Sequence, residues 1–198
     1  MNLRLFLLGC LLGGGLLSAQ SVSPTSEIPI DLFKDRSRSI TPGLMLYGLE
    51  FMSSEEETRA AFGAPTAVLA ISPHSKAYYY GKAHILIFEE NELREVIISH
   101  APSFGVLGKR VTEHPFFDPD KTRLEPGLKF LMRLDEAQRV LQGEIDHLSS
   151  DQPWEKEATY LANFAVITLK FGRSLAPNHL KPGEESTDVL MSIGIRMQ

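Results

Sequence analysis

The strongest constraint on this chain is that it spells one stretch twice. Residues 48–63 read GLEFMSSEEETRAAFG and residues 127–142 read GLKFLMRLDEAQRVLQ. Laid over one another without gaps, Gly48 meets Gly127, Leu49 meets Leu128, Phe51 meets Phe130, Glu57 meets Glu136 and Phe62 meets Leu141. Each copy precedes a loop and then strand-like runs. Repetition on this scale governs architecture before any local signal does. The expected fold is therefore α+β, with two repeated units. Each is a short helix packed on a three- to four-stranded antiparallel meander sheet, and two such units can join into one larger sheet.

Within the first copy, Ser54 followed by Glu57 is a capping box: the serine accepts from the backbone three residues on and the glutamate reaches back. Thr58, Ala61 and Phe62 give the helix one apolar edge, and Gly63 with Pro65 ends it. A helix this short is unstable alone, so Phe62 needs a sheet beneath it. Residues 77–80 and 82–88 read as strands, Glu90-Asn91-Glu92 as a hairpin turn, and residues 93–99 as the returning strand. In the second copy Leu134, Ala137, Val140 and Leu141 form a clearer stripe. Its N-cap is weaker, because Met132 and Arg133 stand where the first copy has serines, which forgoes about 1 kcal/mol of capping. Residues 144–157 read as a polar loop, and residues 188–196 as a half-buried strand in which Val189, Met191, Ile193 and Ile195 alternate with polar or small residues.

Five segments follow: 1–19 a signal peptide, 20–42 a flexible leader, 43–100 the first repeat, 101–123 a packed linker and 124–198 the second repeat. The signal peptide rests on Arg4, the apolar run 5–17 and the small residues Ser18-Ala19. Leu7-Leu8-Gly9-Cys10 also has the form of a lipobox, which would lipidate Cys10 and tether the protein to a membrane. Plain export to the periplasm or beyond is the leading reading and a membrane-anchored lipoprotein the alternative. Cys10 is the sole cysteine. Cleavage after Ala19 leaves a chain without disulfides or thiol nucleophiles.

With 25 acidic against 20 basic residues, net −5, and no basic block, nucleic acid is excluded as a partner on charge, and a membrane enters only through a lipidated Cys10. None of the six histidines has the spacing of a helical or finger metal motif. His114 with Asp118-Pro119-Asp120 is the best metal constellation, and turn residues around a proline are the simpler account of it. No nucleophile elbow, phosphate loop or dinucleotide fingerprint occurs. The chain is expected not to be an enzyme and to need no metal or cofactor. Tyr78, Tyr79, Tyr80 and Trp154 are the candidate partner contacts, since tyrosine and tryptophan dominate interface hot spots. For the tyrosines, packing on Phe62 competes with that reading. Ala83, Ile85 and Ile87 leave the first unit's second sheet face apolar, to be covered by leader or linker or to serve as a binding surface.

The run Phe62-Gly63-Ala64-Pro65, then Tyr78-Tyr79-Tyr80, then residues 84–88 with an apolar return over 93–99, resembles the SmpA/OmlA-like module of outer-membrane assembly lipoproteins. The tandem arrangement is also similar to the β-lactamase inhibitor protein-like fold. The likeness covers residues 44–99, and 124–196 more weakly. It departs at Gly143-Glu144, where the glycine–proline ending is missing, and in the lack of disulfides. What it implies is a non-enzymatic envelope or secreted protein whose partner is another envelope or secreted protein. The leading function is thus protein binding or scaffolding in the cell envelope. A proteinaceous enzyme inhibitor is the runner-up, and a small metal-dependent hydrolase the third reading.

Overall fold

The computed structural model describes residues 37–100, 111, 114, 116–117, 119–142, 147–152, 155–173 and 188–198. The signal peptide, most of the leader, Cys10, Trp154 and Asp118 lie outside the described residues.

The α+β expectation is overturned. Strands take up more than half of the described residues, and the α-helices are two short ones, α1 (Glu55–Phe62) and α2 (Leu134–Val140). The strands are not partitioned into two helix-on-meander units. They form two continuous sheets, each with strands from both halves of the chain. The small sheet has the order β3-β2-β1-β8-β9 and is built from β1 (Ser39–Thr41), β2 (Met45–Leu46), β3 (Leu49–Glu50), β8 (Arg123–Leu124) and β9 (Leu128–Lys129). Its centre is β1, antiparallel to β2 and parallel to β8. The large sheet has the order β10-β11-β12-β13-β7-β6-β5-β4. One half is β4 (Ala67–Ser72), β5 (Ser75–Tyr80), β6 (His84–Glu89) and β7 (Glu92–Ser99). The other is β10 (His147–Gln152), β11 (Glu155–Ala162), β12 (Ala165–Arg173) and β13 (Asp188–Met197).

The physical reason is backbone pairing. Residues 67–72 and 147–152, read as loop from sequence, are the two outer strands of the large sheet. Ala67, Leu69 and Ile71 point to a second face, so β4 has the period of a strand although its sequence is a continuous apolar run. The halves are then fused where β13 pairs antiparallel with β7, Ile193 opposite Ile98 and Ile195 opposite Val96. A helix of eight or seven residues covers too little surface to form a layer alone. The small sheet completes the cover: Ile40, Leu46, Leu124 and Leu128 share one core with Phe62, Leu141 and the inner face of the large sheet.

The two echoing stretches do share local backbone. Met52 and Leu131 both take positive φ, 71° and 63°. Each is followed by a helix start clamped to the large sheet by reciprocal backbone bonds. The Met52 N–H donates to Leu93 O at 3.0 Å, and the Leu93 N–H to Ser53 O at 2.9 Å. The Leu131 N–H donates to Leu190 O at 3.0 Å, and the Leu190 N–H to Met132 O at 2.9 Å. Leu93 and Leu190 are both fully buried, and each lies beside a register shift, between Ile87 and Phe88 and between Lys170 and Phe171.

The caps differ. The Glu57 N–H donates to Ser54 Oγ at 3.2 Å while the Ser54 N–H donates to Glu57 Oε2 at 2.7 Å. The Ser54 N–H and, at 2.8 Å, the Ser54 hydroxyl both donate to the Glu57 carboxylate and hold it below its ordinary value. At α2 the Arg133 N–H reaches Glu136 at 3.3 Å, but the Arg133 side chain accepts nothing in return. Ser54→Ala should cost about 1 kcal/mol, and Arg133→Ser, at an extended N-cap backbone that suits serine, should gain about 0.5–1 kcal/mol. Urea unfolding of both variants checks this; a neutral Arg133→Ser would show that α2 does not limit stability.

Candidate functional site

Two polar clusters and one exposed apolar end are the candidate sites of the described residues. The first cluster starts from a turn. Leu46 pairs with Leu49, leaving Tyr47-Gly48 as a two-residue hairpin loop with φ of 52° and 81°. That is the primed geometry favoured between short strands. A tyrosine at positive φ is uncommon, and here it turns the ring inward. The Tyr47 hydroxyl lies 2.6 Å from His84 Nε2 on β6 and 2.6 Å from Thr122 Oγ1 ahead of β8. All three residues are buried. Phe117 stacks around them, with ring centroids 4.9 Å from Tyr80, 5.1 Å from His84, 5.0 Å from His114 and 5.4 Å from Phe62. The cluster therefore ties the small sheet, the large sheet and the inter-half segment together.

The second cluster docks α1 on β5. The Tyr78 hydroxyl donates to the Glu55 carboxylate and accepts from Arg59 Nη2 at 2.5 Å, and Lys76 Nζ reaches Glu55 at 2.9 Å. Burial pushes the Glu55 carboxyl up, but the bonds from Tyr78 and Lys76, with the charges of Lys76 and Arg59, bring it below its ordinary value. Burial, reinforced by the bond to Glu55, raises the Tyr78 phenol. These bonds fasten the helix to the strand.

The sequence-predicted contacts fall as follows. Tyr78 and Tyr80 are fully buried in the main core, and Tyr79 is 5 % exposed in a smaller cluster with Leu69, Ala77 and Val111. Alternation sends neighbouring tyrosines to opposite faces, and both faces are covered here, so none of the three presents a ring to a partner. Ala83 is buried, and Ile85 and Ile87 are half-buried against that smaller cluster, to which Val111 of the inter-half segment contributes. His114 is half-buried, its Nδ1 accepting from the Phe116 N–H at 3.3 Å. Asp120 sits in a 3-10 turn (Pro119–Lys121). Among the described residues no group of three or more His, Cys, Asp or Glu could hold a metal ion, and no helix is long and apolar enough to cross a membrane.

The feature missed from sequence is one end of the large sheet. Four large apolar side chains are exposed among the described residues: Leu44 at 47 %, Met52 at 37 %, Leu161 at 57 % and Phe164 at 71 %. Leu44, Met52 and Phe164 come to one end of the sheet, whereas Leu161 lies on β11 between the core-facing Tyr160 and Ala162 and so points to the opposite face. Phe164 tips the β11–β12 hairpin, and its carbonyl accepts from the C-terminal Gln198 N–H at 3.0 Å. Asn163 of that tip donates to Pro42 O at 2.7 Å, which places Gly43 and Leu44 against it. The Phe51 N–H donates to Leu44 O at 3.0 Å, and Met52 is the next residue, bonded to Leu93 near the β6–β7 turn. A signal existed: Asn163-Phe164 sits between Ala162 and Ala165, and a phenylalanine at a hairpin tip is out of place unless it has a use.

No family model matches the chain, and no curated protein does. Among solved structures it is similar to a DUF4309 family protein (YjgB) of Bacillus subtilis, at 13 % identity and a TM-score of 0.40, covering 79 % of this chain and 88 % of that one. It is also similar to a cysteine-rich secretory protein of Staphylococcus aureus, at 12 % identity and a TM-score of 0.37, covering 75 % of this chain and 44 % of that one. At TM-scores below 0.5 these likenesses establish neither fold nor function.

Tyr47→Phe leaves buried polar atoms of His84 and Thr122 without the hydroxyl between them, and should cost about 1–3 kcal/mol in urea unfolding. A cost below about 0.5 kcal/mol would mean that the hydroxyl contributes nothing net. Burial lowers the His114 imidazole below its ordinary value of 6.5. Its contribution is full above pH 6.5 and is lost as pH falls through the folded-state value. The urea midpoint of wild type should therefore drop more between pH 7.5 and 5 than that of His114→Gln; parallel curves would refute the assignment.

Proposed function

We propose that this chain is an exported, non-enzymatic protein-binding protein of the cell envelope. The observation that carries the reading is that the exposed Leu44, Met52 and Phe164 come to one end of the large sheet on turns bonded to one another and to β7. Single exposed apolar residues need no explanation, but several together mark an interaction surface. Export is supported by the N-terminal apolar run after Arg4 and its small-residue end. The non-enzymatic part is supported by the structural use of the described polar clusters. Tyr47, His84 and Thr122 are buried around one hydroxyl, and Glu55, Arg59, Lys76 and Tyr78 fasten a helix to a strand.

The patch is built to bind without rearranging. Its residues sit on tight turns that backbone and side-chain hydrogen bonds fix to one another. Rigid presentation reduces the ordering cost of association. A large apolar residue on such a tip can supply a disproportionate share of affinity.

Cross-linking capture from envelope extracts, with wild type and the Leu44→Ser/Phe164→Ser double variant in parallel, tests the reading. Wild type should enrich one or a few proteins. The double variant should lose most of that yield while keeping its melting temperature, since both side chains are exposed. Capture of nothing by wild type, or equal capture by the variant, would sink the proposal.

A further inference from the structure

The exposed apolar end is not electrically neutral, and its charge narrows what can sit on it. Glu89 and Glu95 share the single Arg196 at 2.9 and 2.7 Å, leaving one net negative charge, while Glu92 pairs with Arg94 at 2.6 Å and Glu55 with Lys76 at 2.9 Å. Four further carboxylates at this end are exposed and form no ion pair among the described residues, Glu50, Glu56, Glu57 and Glu90, and of these Glu57 is engaged by the Ser54 cap. Glu50 lies on β3 opposite Met45, between Leu44 and Met52 in the fold. Glu56 is in the first turn of α1, just after Met52. Glu90 is at the β6–β7 turn, beside the strand that Met52 bonds. An apolar patch with an unneutralised acidic rim results.

From this we infer that the end binds a protein segment presenting apolar side chains flanked by lysine or arginine. The inference rests on the protein-binding reading above and adds the partner's chemistry to it. Complementary charge at an interface rim steers encounter and rejects wrong partners, while the apolar centre supplies affinity. The same rim argues against two other occupants. A second copy would bring Glu50, Glu56 and Glu90 against a surface of the same sign. An anionic lipid surface would repel them.

The test uses the purified full chain and a fluorescently labelled amphipathic peptide of leucine and lysine. A leucine–glutamate peptide of the same length and phosphatidylglycerol vesicles are the comparisons. Expected is saturable binding of the leucine–lysine peptide. Leu44→Ser/Phe164→Ser should weaken it about tenfold. Glu50→Gln/Glu56→Gln/Glu90→Gln, or raising salt from about 0.05 to about 0.5 M, should weaken it several-fold. No saturable binding, equal binding of the leucine–glutamate peptide, preference for the vesicles, or affinity indifferent to either set of substitutions would each overturn the inference. Any protein captured in the preceding experiment separates the two levels. If it is retained in full by Glu50→Gln/Glu56→Gln/Glu90→Gln, the charge inference fails while protein binding stands. If nothing is captured at all, both fail.

Discussion

Everything in this structure depends on the ladder between β7 and β13. Ser99 to Glu95 pair with Ser192 to Arg196, and this antiparallel contact turns two runs of strands into a single sheet. Once the sheet is continuous, its inner face is too broad for two helices of eight and seven residues. Apolar area left open would forgo about 25 cal/mol for every Å². The remaining cover comes from short strands that would have no stability apart: β2-β3 and β8-β9, bridged by β1. Leu93 and Leu190 connect the two levels, because each is a strand residue of the large sheet that also bonds the backbone entering a helix.

The buried cluster of Tyr47, His84 and Thr122 follows from the same constraint. Where the small sheet, β6 and the inter-half segment converge, packing alone would tolerate several arrangements. A hydroxyl held between an imidazole and a threonine tolerates far fewer, since misplacement strands buried polar groups at about 1–3 kcal/mol each. The ring contacts of Phe117 with Tyr80, His84, His114 and Phe62 fill the space around that bond.

Local signals were legible in the sequence. Ser54 and Glu57 do form a capping box, Gly63 ends α1, and the Glu90-Asn91 turn closes a hairpin with both residues at positive φ. What could not be read was pairing between distant segments. Nothing local in Ser39–Thr41 announces a parallel partner at Arg123–Leu124. Residues 67–72 lack the alternation that marks a half-buried strand, because β4 is partly covered on both faces. The same two-sided cover explains the tyrosines. Their run suggested surface contacts, yet Tyr78 and Tyr80 face one cluster and Tyr79 another. The candidate binding end was hidden for a further reason. Leu44 and Phe164 lie far apart in the chain, and their turns meet through the bond from Asn163 to Pro42 and the close approach of Gly43 to the tip.

That bond also bears on what the exposed end is for. Phe164 stays outside although the neighbouring Tyr160 and Ala165 are buried. The Asn163 backbone at φ 53° fixes a tight turn, and the turn aims the next ring away from the core. Gln198 and Pro42 hold that turn from both sides. Here backbone geometry and hydrogen bonding cooperate to keep an apolar side chain in water, which is costly to the isolated protein. Such an arrangement is coherent when the ring's burial is completed by something outside the chain. The acidic residues at the same end, on β3, α1 and the β6–β7 turn, then limit which surfaces can complete it.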